Sequence, residues 1–198
     1  MEMFLLFFIL YLGPLSKKEI VKWFILGSVL PIILGFSQFI FQTTWASKYL
    51  GLASHPVWQA GTSVVVGDFG RLLRAYGPFS HPNIFGGYLF VVLLASFLFF
   101  KEKNFLIKYF FIGLVLLTLF FTFSRSALLA VFFLILGFLI YSFRYKNKNV
   151  RKLSIFSLIL FFILLFSLWQ VFQSRLSSSS INEIQSIEER TSGVGQAM

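Results

Sequence analysis

Five apolar runs, at residues 20–41, 84–100, 105–123, 127–143 and 153–172, constrain this chain more than anything else in it. Each is about 17–25 residues long, enough for a helix to cross the hydrocarbon core of a bilayer. In lipid a backbone N–H or C=O has no water to bond, so a spanning segment of this kind has to be helical. A shorter run at 3–15 has neither the basic start nor the small-residue cleavage site of a signal peptide, and reads as a partial first span. The fold class expected is an all-α integral membrane protein with about six transmembrane helices. Composition agrees: with 58% hydrophobic and 12% charged residues, the chain has no means of building a water-facing shell around a core.

Residues 105–143 would measure about 58 Å as one helix, roughly twice the hydrocarbon thickness, so they must break. Ser124-Arg125-Ser126 is the polar place to do so, which makes a helical hairpin with a tight turn. Orientation follows from charge. Lys17, Lys18 and Lys22, then Lys101, Lys103 and Lys108, then Arg144, Lys146, Lys148, Arg151 and Lys152 fall in alternate loops. Such loops face the cytoplasm. The opposite face then carries a long loop at 42–83 and a tail at 173–198. In the loop, 71–76 suggests a short amphipathic turn and Val64-Val65-Val66 a shallow insertion. In the tail, the spacing of Ser180 and Glu183 suggests a capped surface helix.

Several function classes drop out here. Cysteine is absent, which removes disulfides, thiolate metal sites and cysteine nucleophiles. Two histidines and seven carboxylates make a metal site built by the protein improbable. The net charge of +10 is accounted for by the cytoplasmic loops, so no nucleic-acid partner is expected.

Arginine on the outer face is the informative residue, because the positive-inside bias does not explain it. Arg71 and Arg74 precede Gly77-Pro78-Phe79-Ser80-His81-Pro82-Asn83, and Arg125 lies on the hairpin turn. A guanidinium stays charged and grips phosphate oxygens in a two-pronged fork. Several at one membrane face suit an anionic head group, a pyrophosphate above all. The plainer reading is that each arginine anchors the end of a span at the interface. Likewise Ser124 and Asn83 have the chemistry of helix caps, and His81 that of an ordinary loop histidine. If Arg74 and Arg125 share one pyrophosphate, both guanidinium groups should face one cavity.

The segment Arg74-Ala75-Tyr76-Gly77-Pro78-Phe79-Ser80-His81-Pro82-Asn83-Ile84-Phe85-Gly86-Gly87 resembles the signature of the O-antigen ligase and O-antigen polymerase superfamily. Thr122-Phe123-Ser124-Arg125-Ser126-Ala127-Leu128-Leu129 is similar to that family's Ser-Arg pair between consecutive spans, and Ile187-Glu188-Glu189-Arg190-Thr191 looks like the start of its large extracytoplasmic region. The resemblance implies a GT-C-like multi-spanning glycosyltransferase that uses neither metal nor cofactor and sits in a bacterial inner membrane. Its donor is a glycan on a polyprenyl pyrophosphate, and its acceptor a hydroxyl of a lipid, glycan or protein. Arg74 and Arg125 inherit the pyrophosphate role, with Arg71 and Arg190 as further phosphate contacts and His81, Asn83 and Ser124 in support. The family's catalytic histidine falls beyond the equivalent of Arg190, so it is expected past Met198 and the catalytic residue of this chain is unknown. The chain reads as a fragment that binds donor without completing transfer. A ligase and a polymerase of repeat units fit this pattern alike. A lipid transporter or flippase should carry charge near mid-membrane, where these spans are apolar, and a non-catalytic membrane subunit is a third alternative.

Overall fold

The structure is a computed structural model that describes residues 16–59, 61–67, 70–99 and 105–174. The expected first span at 3–15, Arg190 and the tail helix lie outside the described residues. The described residues are mostly helical, at 69%. In chain order it forms α1 (Lys17–Gly27), α2 (Val29–Phe41), β1 (Val64–Gly67), β2 (Gly70–Leu73), α3 (Pro82–Phe99), α4 (Phe105–Phe121), α5 (Arg125–Arg144) and α6 (Lys148–Ser167).

Local chemistry explains where these helices start and stop. Ser16 and Glu19 form a reciprocal capping box at the start of α1. Pro31 has no N–H and its ring crowds the carbonyl four residues earlier, at Gly27, where α1 ends. Ser28 bridges the break, donating its hydroxyl to the Ile25 carbonyl at 2.7 Å. Together α1 and α2 make one 25-residue apolar unit, Lys17–Phe41. This unit, α5 and α6 are the three segments among the described residues long and apolar enough to cross a membrane. The runs expected as spans at 84–100 and 105–123 are apolar helices a little shorter than that, and they form the centre of the bundle.

α3 and α4 supply the inner wall. Phe85, Leu89, Val92 and Leu93 of α3 and Ile112, Val115, Leu116 and Leu119 of α4 are all fully buried. The outer helix faces are the reverse. Phe110 is 74% exposed, Phe133 66% and Phe166 87%. Water would not tolerate such a surface around a whole bundle, whereas lipid does.

Sequence reading of the 42–83 loop needs correction. Residues 64–67 and 70–73 are extended strands, not the amphipathic turn expected from residue 71. They form an antiparallel hairpin in which Val64 pairs with Leu73 and Gly67 with Gly70, so the chain is not purely α. Three successive valines favour an extended strand, and glycine at each inner strand end admits a tight reversal. Val65 and Leu73 are buried under the hairpin while Val66 and Arg71 face outward. Two glutamines, Gln42 at the C-terminal cap of α2 and Gln38 within it, hold the second strand and the segment after it in place. Gln42 accepts the Leu73 N–H at 2.7 Å. One turn earlier, buried Gln38 accepts the Tyr76 and Gly77 N–H groups at 3.1 and 2.8 Å, and donates to the Gly77 carbonyl at 3.0 Å.

Candidate functional site

The two motif segments meet at one end of the bundle, and Arg74 joins them. Its Nε donates to the Thr122 carbonyl at 2.7 Å, one Nη to Ser63 Oγ at 2.6 Å and the other to Asn83 Oδ1 at 2.6 Å. These acceptors come from the α4–α5 turn, the residue just before β1 and the first turn of α3. One guanidinium thus fixes three pieces of chain that the sequence sets far apart. A second link runs alongside, from the Ala75 N–H to the Phe121 carbonyl at 2.9 Å.

Close packing completes the junction. A Cβ on Gly86 would meet Ala127, Ser124 and Thr122 at 3.0–3.2 Å. The first turns of α3 and α5 therefore approach closely at Gly86, where a Cβ would press on its neighbours. The α4–α5 turn is Thr122-Phe123-Ser124, with Phe123 in the left-handed region at φ 47°. The break therefore comes slightly earlier than Ser124-Arg125-Ser126, and Arg125 is the first residue of α5.

The individual roles differ from those the sequence suggests. Arg74 is fully buried. It braces the junction instead of opening onto a cavity, so the expectation that it and Arg125 face one shared cavity does not hold in this structure. Arg125 is exposed at the start of α5. Arg71 is exposed on the hairpin, outside the Arg74 hydrogen-bond set. Asn83 does not cap α3; its side chain holds Arg74. The capping role falls to His81, whose Nδ1 accepts the Asn83 N–H at 3.1 Å, ahead of Pro82 at the first helical position. Ser124 occupies the cap position of α5, and its carbonyl takes the Leu128 N–H at 3.0 Å. Its side chain makes no capping bond and lies 3.4 Å from Ser126 Oγ.

The electrostatics of this end follow from helix direction. α3 and α5 both begin here, so two positive dipole ends converge beside Arg74 and Arg125. A cation at a helix N-terminus is unfavourable by about 0.3–1 kcal/mol unless an anion sits with it. Arg125 begins α5 at one such end and is itself partnered there. Among the described residues the one carboxylate is Glu19, in the first turn of α1. The same residues contain no group of three or more His, Asp or Glu side chains placed to hold a metal.

Residues that sequence reading missed complete the support. Gln38 and Gln42 are two amides one helical turn apart in an otherwise apolar run, and that spacing was the available signal. Tyr76 accepts the Ser63 N–H at 2.6 Å and stacks on His55 at 4.1 Å between ring centroids. Burial raises the Tyr76 hydroxyl above its ordinary pKa and lowers the His55 imidazole below its own. Both therefore stay neutral near pH 7, and the loop at 43–63 is seated on the site by an uncharged stack. No protein-family model, curated protein or solved structure matches the chain.

Proposed function

We propose that this end of the bundle binds the pyrophosphate of a polyprenyl-linked glycan. On this reading the chain is the donor-binding part of a membrane glycosyltransferase resembling the O-antigen ligases, of GT-C-like architecture. The observation that carries the reading is the bond from Arg74 Nε to the Thr122 carbonyl, 48 residues away in sequence. It makes one electropositive unit of the two motif segments, each opening a helix whose N-terminus favours an anion.

In the proposed reaction an acceptor hydroxyl oxygen forms a bond to the anomeric carbon, and the bond from that carbon to the pyrophosphate oxygen breaks. The hydroxyl proton passes to a base, and the pyrophosphate leaves on its polyprenyl carrier. Negative charge grows on the leaving group, so donors fixed before the reaction lower the barrier. Arg125 and the α5 N-terminus contact the phosphates. Arg74, held by three acceptors, keeps that end rigid and adds its charge from behind. Arg71 and Arg190 are further cations for the donor, and His81 and Asn83 set the α3 end. The membrane is a bacterial inner membrane, with the 42–83 loop on the extracytoplasmic side. A ligase and a polymerase share this donor chemistry and part company at the acceptor.

The test is competition for a photoreactive polyprenyl pyrophosphate on the purified protein in neutral-lipid nanodiscs. One added charged hydrogen bond contributes about 1.5–3 kcal/mol, so a pyrophosphate should compete at least about tenfold better than the corresponding monophosphate. Equal competition by the monophosphate or the free polyprenol would remove the pyrophosphate reading.

A further inference from the structure

At the far end of α3 and α5 from the arginine junction lies a groove of about 580 Å³. Phe97 of α3, Phe133 and Gly137 of α5, and Val150 of α6 form its apolar walls, with Tyr141 and Asn147 toward the α5–α6 turn. Its volume is in the range of sites that hold an organic ligand, about 300–1,000 Å³.

Two features lack an explanation from packing alone, one in the groove and one in the chain beside it. Gly137 lies inside the membrane-length helix α5, where glycine is a poor helix former. The usual reason to keep one there is close approach of a neighbour, yet a Cβ at 137 would meet nothing within 4 Å. Its absence leaves the groove floor open instead. The second feature is charge. Residues 144–152 hold Arg144, Lys146, Lys148, Arg151 and Lys152 and no carboxylate. Three of these cations stand in the first turns of α6, whose N-terminus is already positive and whose first turn carries no acidic residue. Cations at a helix N-terminus repel its dipole, and an anion among them reverses the sign.

We propose that this groove binds one anionic glycerophospholipid of the adjoining leaflet. An acyl chain lies along Phe97, Phe133 and Gly137, and the phosphate sits at the α5–α6 turn among Lys146, Lys148 and the α6 N-terminus. Basic pockets between membrane helices recognise anionic head groups in this way. The site is independent of the donor site, at the other end of α3 and α5, and needs none of its residues.

Spin-labelled phosphatidylglycerol and phosphatidylcholine, compared by electron paramagnetic resonance in nanodiscs of otherwise neutral lipid, test the proposal. The protein should hold the anionic lipid at least about fivefold more strongly, the preference expected of one well-placed lysine near the surface. Lys146→Gln with Lys148→Gln should abolish that preference while leaving the phosphatidylcholine signal unchanged. Gly137→Leu, which fills the floor, should remove the immobilised component for phosphatidylglycerol with helix content by circular dichroism unchanged. Equal retention of the two lipids by the native protein would overturn the proposal. So would an immobilised phosphatidylglycerol signal that survives Gly137→Leu.

Discussion

Arg74→Lys keeps a positive charge at the centre of the junction and removes its shape. The guanidinium reaches Thr122, Ser63 and Asn83 on three different segments through three different nitrogens. A single ammonium on a flexible stem cannot span them, and it keeps one bond at best. Each charged hydrogen bond contributes about 1.5–3 kcal/mol, and losses within one network do not add, so we expect a net cost of roughly 2–4 kcal/mol. For a chain of this length one kcal/mol moves the melting midpoint by about 2–4 °C, giving a drop of roughly 5–15 °C. Tryptophan fluorescence during thermal unfolding in neutral-lipid nanodiscs measures it. Hydrogen exchange at 74–77 and 122–124 should quicken in the same variant, since those amides lose their anchor. Arg71→Lys, on the exposed side of the hairpin, is the control and should leave both readouts unchanged. A midpoint for Arg74→Lys within about 1 °C of the native protein would refute the brace, because so small a shift corresponds to less than 1 kcal/mol.

Gln38→Leu leaves the Tyr76 and Gly77 N–H groups and the Gly77 carbonyl without their partner, at a cost of about 3 kcal/mol. Gln38→Glu keeps the acceptor and loses the donor, so its melting midpoint should fall between leucine and the native protein. Burial lowers the His55 pKa, so the neutral imidazole favours folding above its ordinary value of about 6.5, and that contribution fades as pH falls through the lowered value. Protection of the Ser63 amide, measured relative to the intrinsic exchange rate at each pH, should therefore fall on acidification from about pH 7 to about pH 5. His55→Phe should remove that pH dependence. The chain has no cysteine, so single cysteines report topology: one at Gly61 should react with an impermeant maleimide in intact cells, and one at Asn147 should not. The opposite pattern would put the arginine junction on the cytoplasmic side.

Helices were legible in the sequence because an apolar run in lipid has one way to satisfy its backbone. The α1–α2 break carries one sequence mark, Pro31, within an apolar run that otherwise reads as continuous. Arg74, His81, Asn83 and Arg125 could be picked out by residue type and spacing, but their environments could not. Sequence shows that Arg74 is a cation; burial under three neutral acceptors depends on where Thr122 and Ser63 arrive in space. Gln38 is not legible as a site residue, because an amide within an apolar run looks like a tolerated impurity and its partners lie 38 and 39 residues away. The hairpin was misread for a related reason. Val64-Val65-Val66 suits lipid and strand equally, and the strand depends on pairing with 70–73, itself pinned by Gln42.

The central claim is that Arg125 meets phosphate at the junction of the two motif segments, where fork geometry matters as well as charge. Arg125→Lys in the native membrane protein tests it most directly, through the rate of glycan transfer from a polyprenyl-pyrophosphate donor normalised to the amount of protein in the membrane. Losing one charged contact that tightens in the transition state costs about 1.5–3 kcal/mol, so transfer should fall roughly ten- to hundredfold at unchanged protein level. Transfer at the native rate by the lysine variant would contradict the claim and leave Arg125 an interface anchor.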